Sequence, residues 1–231
     1  MPLIYDEFSP NAKLFRSLLI YGGSGVGKTR LACQFPKPLV LACDPGNYGG
    51  VLSGKEFLPK FIVIKSYAQV LSLLPDLDKE AGKSFETLVI DSLTYLQRII
   101  LDDLLAKAGK EWPKSDEYSL CKSRLRNLIV KMSGFNSNFV VTTTEQVDKD
   151  ENLGKLLGLP DLIGQLSREV PQAVDTCLHL YVESGFDATG VKRTNYKMTC
   201  APDSIWFAKD RTNLVPKDCA TSIESLGKLL G

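Results

Sequence analysis

The chain is short of the residues from which many sites are built. Its 231 residues hold one histidine, and its six cysteines, at 33, 43, 121, 177, 200 and 219, include no C-x-x-C pair. A zinc framework needs clustered Cys and His ligands, so no zinc site is expected. Scattered thiols instead suit a reducing, cytosol-like compartment. No apolar run approaches the ~20 residues of a membrane-crossing helix, and no basic n-region precedes a long apolar segment at the N-terminus. A cytoplasmic location without membrane contact is therefore expected. Charge of one sign is also lacking: 28 basic and 27 acidic residues leave a net +1. The chain as a whole exerts no pull on nucleic acid, so any DNA contact must come from a local patch. There is no internal repeat or low-complexity tract. With 44% apolar and 24% charged residues, the composition is that of an ordinary globular protein. One domain over 1–231 is expected, with an N-terminal arm over 1–13 and a tail with a short helix over 212–231.

What is present centres on Gly22-Gly23-Ser24-Gly25-Val26-Gly27-Lys28-Thr29, which fits G-x-x-x-x-G-K-[ST] at every fixed position. The motif carries meaning only between a buried strand and a helix. Ser17-Leu18-Leu19-Ile20-Tyr21 supplies the strand, and residues 29–34 supply a helix that stops before Pro36. Four glycines let the backbone turn tightly around a polyphosphate, with several N–H groups pointing inward and a helix N-terminus behind them. Lys28 is expected to reach the β- and γ-phosphates, and the Thr29 hydroxyl to be a ligand of Mg2+. This pattern identifies a nucleoside triphosphate site without naming the reaction.

Two carboxylates follow at strand ends. Leu39-Val40-Leu41-Ala42-Cys43 reads as a buried parallel strand running into Asp44-Pro45-Gly46. Asp44 either orients an attacking water at the ligand-binding edge of the sheet or is a turn residue. Thr87-Leu88-Val89-Ile90-Asp91-Ser92 is a second such run, and Asp91 is expected near the metal, the competing reading being a cap for the next helix. A core-facing apolar stripe predicts a helix over 93–108, closed by Gly109. Residues 46–59 read as a surface loop, 68–77 as a crossover helix and 118–132 as a further helix. From Tyr118 through Thr144 there is no acidic residue, while Lys122, Arg124, Arg126 and Lys131 are basic. That excess is either a solvated face or a phosphate-contacting stripe.

Phe139-Val140-Val141-Thr142-Thr143 is the next strand, and it leads into Thr144-Glu145-Gln146-Val147. Gln146 is the candidate to sense a γ-phosphate, with Thr143 and Thr144 nearby. Residues 148–160 read as a mobile polar loop with an acidic start. The strand 177–182 alternates, so His179 reads as a surface or packed side chain rather than a catalyst. Residues 185–195 read as a glycine-rich turn, and 196–200 and 204–208 as a strand pair. Trp206 and Phe207 are expected in the core.

Strands separated by helices, with a phosphate loop after the first, predict an α/β three-layer fold: a mostly parallel sheet flanked by helices, with a C-terminal antiparallel strand pair. No N-K-x-D stands at a strand end, as guanine-specific GTPases require. Residues 18–211 resemble the RecA-like core, in particular the phage-encoded RecA-like ATPases of the Sak type. The resemblance rests on the ordered set Tyr21–Thr29, Val89-Ile90-Asp91-Ser92, Thr144-Glu145-Gln146-Val147 and Ala208-Lys209-Asp210-Arg211. It implies ATP hydrolysis with Mg2+, single-stranded DNA as partner, ring or filament assembly, and a role in recombination or single-strand annealing beside a single-strand DNA-binding protein. It implies that Asp44 stands where a longer Glu is usual as the base. It also implies DNA-contacting loops near 109–122 and 147–167, which adds Lys110 and Lys114 to the basic candidates. Lys209 and Arg211 match a K-x-R pair that reaches the γ-phosphate of a neighbouring subunit. Two other classes stay open: a nucleotide-gated binding module with little turnover, and a small-molecule kinase.

Overall fold

The computed structural model describes residues 16–46, 49–150, 154–186, 190, 192–213, 215–222 and 224–226. Its elements in chain order are β1 (Ser17–Gly22), α1 (Lys28–Ala32), β2 (Pro38–Ala42), α2 (Gly49–Leu52), β3 (Lys60–Val63), α3 (Tyr67–Glu80), β4 (Thr87–Asp91) and α4 (Leu93–Ala108). They continue with α5 (Ser115–Ser133), β5 (Asn138–Thr143), β6 (Glu145–Asp150), β7 (Lys155–Pro160), α6 (Leu166–Ala173), β8 (Thr176–Phe186), β9 (Lys192–Thr199), β10 (Lys209–Asp210) and β11 (Asp218–Ala220). The N-terminal arm expected over 1–13 and most of the closing helix expected over 222–230 lie outside the described residues.

Apolar residues on both sides of each central strand dictate a sheet buried on both faces. Strands β4 and β5 are buried along their whole length. The sheet runs β11-β9-β8-β1-β5-β4-β2-β3. Strands β8, β1, β5, β4, β2 and β3 pair in parallel, while β9 and β11 are added antiparallel at one edge. This is a P-loop NTPase fold: a mostly parallel sheet flanked by helices, with antiparallel strand pairs. Alternation sorts the side chains. Leu19, Tyr21, Leu88, Ile90, Phe139 and Val141 face α3, α4, α5 and α6, whereas Leu18, Ile20, Val89 and Val140 face α1 and the C-terminal residues. The second face is thinly covered, because α1 has only five residues.

Several local expectations change. The segment 46–59 holds α2 and a 3-10 turn, Lys55–Phe57, instead of plain loop. The loop expected over 148–160 is a β-hairpin, β6 with β7, forming its own two-stranded sheet. Much of the glycine-rich turn expected over 185–195 is the outer part of β8 and β9, which pair from His179 opposite Thr199 to Phe186 opposite Lys192. Strand β9 does not pair with 204–208. It lies between β8 and β11, while Trp206 bridges to Gly158 and β10 pairs with β8. Helix α6 was not foreseen from the sequence, in which Pro171 sits inside the helical stretch. His179 is buried, as a packed side chain would be.

Phe139 sits at the centre of the thicker core and is essentially inaccessible to solvent. Phe139→Ala is expected to lower stability by about 3–5 kcal/mol, read as a reduced urea midpoint at unchanged slope.

Candidate nucleotide site

The loop between β1 and α1 owes its shape to its glycines. Gly25 and Gly27 have φ of 80° and 95°, a region that side chains disfavour. At Gly22 a Cβ would lie 2.2 Å from the Leu180 carbonyl oxygen on β8, so only glycine lets the loop leave the sheet there. Gly27 caps α1, its carbonyl receiving the Leu31 N–H at 2.9 Å. The result is a ring of main chain around Lys28, whose ammonium donates to the carbonyls of Gly22 at 2.9 Å and Gly23 at 2.7 Å. Burial lowers the Lys28 pKa, opposed by the charges of Asp91, Glu145 and Asp44.

Those carboxylates arrive from neighbouring strand ends. β5 lies between β1 and β4. Asp91, ending β4, is 4% exposed and accepts two hydroxyl hydrogen bonds, from Thr29 at 2.8 Å and from Thr142 of β5 at 2.5 Å. Asp44, just past β2, accepts from Ser92 at 3.4 Å. A Cβ on Gly50 of α2 would stand 3.3 Å from Asp91 Oδ2, 3.5 Å from Thr29 Oγ1 and 3.7 Å from Asp44 Oδ2, so these three oxygens surround one small space. Burial pushes the Asp44 carboxyl up, against hydrogen bonds from Ser92 and the charge of Lys28. Burial also pushes Asp91 up, against the Thr142 and Thr29 hydrogen bonds, and the Asp44 charge adds to the rise.

A cavity of about 780 Å³ opens over this cluster, lined by residues 24–31, Asp44, Gly50, Asp91, Ser92, Tyr95, Thr144, Tyr196 and Thr221. Its size and mixed lining suit a nucleotide. Among the described residues the buried Thr221 hydroxyl has no hydrogen-bond partner, which leaves a polar group at the cavity wall. Among the described residues no group of three or more His, Cys, Asp or Glu side chains could hold a metal ion. A cation here would take the Thr29 hydroxyl, Asp91 and the phosphates of a ligand. That donor set fits Mg2+, which usually binds one or two carboxylates plus substrate phosphates.

The structure thus brings together 22–29, Asp44 and Asp91, and it separates other candidates. Strand alternation puts Gln146 on the face of β6 opposite Glu145, and it is not among the residues lining the cavity, which include Thr144. It is Glu145 that approaches the loop, its Oε1 3.2 Å from where a Gly23 Cβ would stand. Lys209 and Arg211 lie at the other end of the sheet, β10 pairing with the start of β8, and both donate to the Gln172 carbonyl, at 2.7 and 2.6 Å. Within one chain they do not face the phosphate loop.

The basic stripe is largely neutralised. Lys110 pairs with Glu117 at 2.5 Å, Arg124 with Asp103 at 3.2 Å and Arg126 with Glu169 at 2.6 Å. Lys114 heads α5, its N–H held by Glu117, and Lys122 lies beside Gly164. The acidic partners come from segments outside the acid-free stretch, which is why a window of sequence shows an excess that the folded surface does not. Thr142, Ser92, Tyr95, Tyr196 and Thr221 were missed. Of these only Thr142 carried a signal, one of two threonines that follow the apolar run Phe139-Val140-Val141 in a buried strand and call for partners.

The family described as AAA domain matches residues 15–212. No curated protein matches the chain in sequence. Among solved structures, the chain is similar to one described under "Structural and biochemical analysis of a prototypical ATPase from the type III secretion system of pathogenic bacteria". That likeness has 19% identity and a TM-score of 0.48, and covers 72% of this chain and 52% of the other. The chain therefore spans about half the length of that ATPase.

A carboxyl that binds its proton more tightly when folded adds stability below its unfolded value of about 3.9, and the gain is lost as pH rises through the folded value. Asp91 is such a group. In ligand-free protein at pH 7, Asp91→Asn is expected to raise stability by about 1 kcal/mol in urea melts, and the gain should shrink toward pH 4.

Proposed function

The chain belongs to the AAA-domain family of P-loop ATPases, and we propose that it hydrolyses ATP with Mg2+, and, from its resemblance to the phage Sak type, that it binds single-stranded DNA and supports recombination or single-strand annealing. The observation that carries the hydrolytic part is the convergence of Lys28, Thr29, Asp91 and Asp44 on one cavity beside the phosphate loop. In this reading the ammonium of Lys28 leaves the Gly22 and Gly23 carbonyls and takes the β- and γ-phosphates. Thr29 and Asp91 would hold the cation, which would supply charge neutralisation on the phosphates. Asp44, near Ser92, polarises the attacking water. Lys209 and Arg211, at the far end of the sheet, act on a neighbouring copy in a ring or filament, where an arginine supplied in trans contributes about 10^3 to 10^5 in rate.

The DNA-binding part rests on the Sak-type resemblance, with Lys114, Lys122 and the β6–β7 hairpin as its contact region. The ion pairs of Lys110, Arg124 and Arg126 favour a smaller share for those three. One observation favours a second reading: Asp44 is a short carboxylate whose ionised form burial disfavours, which suits a nucleotide-gated binding module with slow turnover.

Phosphate release from ATP and Mg2+, with and without single-stranded DNA, separates the two. The proposal expects stimulation by DNA, a loss of about 10^2-fold or more in Lys28→Ala, and loss of the stimulated rate in Arg211→Ala. Turnover that survives Lys28→Ala would refute the site. Salt-sensitive DNA binding with a non-hydrolysable analogue and near-zero turnover would select the second reading.

A further inference from the structure

A second cavity, of about 430 Å³, lies where β2 and β3 begin. The phosphate loop, Asp44 and Asp91 stand at the opposite ends, where β1, β2 and β4 finish. The two cavities share Gln34 and no other lining residue. Phe35, Pro38, Phe57 and Leu58 give the second one an apolar lining, with Lys37 and Lys60 beside them. Neither the nucleotide nor the proposed DNA contacts make use of it.

The 3-10 turn Lys55–Phe57 that carries part of this lining is firmly seated. A Cβ on Gly54 would stand 2.5 Å from the Cys33 Cβ, so only glycine lets the turn come this close to the end of α1. Arg30 of α1 pairs with Glu56, donates to the Ser53 carbonyl at 3.3 Å and lies over the Phe57 ring, 5.6 Å from its centroid. On that base the backbone holds two residues in the left-handed region, Leu58 at φ 50° and Lys37 at φ 39°. Such a conformation is unfavourable for a bulky side chain and persists where the surroundings impose it, commonly at binding sites. Here its effect is to keep Leu58 86% exposed beside the cavity.

Charge says what would cover it. The acids nearest in sequence are already engaged, Glu56 by Arg30 and Glu86 by Lys37 at 2.8 Å. Lys60 donates to the Ser84 carbonyl at 3.5 Å and Lys83 to the Lys79 carbonyl at 2.8 Å, and among the described residues neither these two nor the exposed Lys55 has a carboxylate partner. The rim is thus locally basic on a chain whose net charge is only +1. We propose that this cavity is a docking site for a short acidic segment of a partner protein, which places an apolar side chain against Phe57, Leu58 and Pro38 and its carboxylates on Lys60 and the neighbouring lysines. The inference is independent of the ATPase reading. A nucleic acid strand fits less well: bases need open ring faces to stack on, whereas Phe35 is 2% exposed and Phe57 already carries Arg30. A peptide needs only the apolar recess and the cations around it.

Panning a library of short random peptides against the full chain, then titrating the selected peptides by fluorescence anisotropy, tests the proposal. The expected selection carries one large apolar residue flanked by Asp or Glu. Its affinity should fall about tenfold or more in Leu58→Asp and in Lys60→Glu, and stay unchanged in Lys131→Glu, a charge reversal on the exposed side of α5. Leu58 and Lys60 are both exposed, so the two variants should melt as the parent does, and either serves if the other fails to fold. No selection, a selection without acids or without the apolar residue, or binding that survives both substitutions overturns the proposal. An equal loss in Lys131→Glu also overturns it, as general charge attraction. A single-stranded oligonucleotide that displaces the peptide and loses its own binding in Lys60→Glu would make nucleic acid the occupant. Self-association of the chain that both substitutions abolish, without any peptide selection, would make it a second copy, and either result contradicts the proposal.

Discussion

A carboxylate almost sealed from water holds the centre of this molecule. Asp91 ends the innermost part of the sheet, and its charge is met by two hydroxyls, from the helix after the phosphate loop and from the adjacent strand. Those bonds fix α1, β4 and β5 relative to one another, and among the described residues no cation hydrogen-bonds the carboxylate. The nearest ammonium, Lys28, is spent on carbonyl oxygens. Both halves of the site thus hold charges whose burial is costly in the ligand-free protein. A metal-bound polyphosphate would relieve both at once, neutralising Asp91 and occupying Lys28. Stability in the free protein is given up where function needs unmet charge.

The rest of the fold can be understood as support for that point. The parallel strands must be buried on both faces, and the thick layer of α3, α4, α5 and α6 covers one. The other is closed by a five-residue helix, by α2 through Val51, and by residues around Val215 and Leu226 that return from the far end of the sequence. Because that return covers the α1 face, it also walls the cavity, with Tyr196 and Thr221 beside the loop. The C-terminal antiparallel strands are therefore part of the site as well as of the sheet edge.

The sequence shows the local parts of this plan clearly and the distant parts poorly. The phosphate loop and Asp91 are legible because each is a short motif tied to one strand end, and helix α4 was legible to the residue because its stripe and closing Gly109 agree. Glu145 and Gln146 could not be told apart locally, because a two-residue period makes neighbours point oppositely: Glu145 approaches Gly23, and Gln146 does not line the cavity. The hairpin hid behind charged residues that a windowed reading takes for loop, and the basic stripe looked unpaired because Asp103 and Glu169 lie outside its window. Tyr196 and Thr221 had no local signal at all: only the sheet order brings them to the wall of the cavity.

Calorimetric titration of ATP into the full chain, once with Mg2+ and once with a chelator, tests most directly whether the buried pair of charges waits for a metal nucleotide. The account predicts one site per chain whose affinity falls when the cation is removed, since Asp91 then faces the phosphates unshielded. Equal affinity in both conditions, or no binding in either, would contradict it.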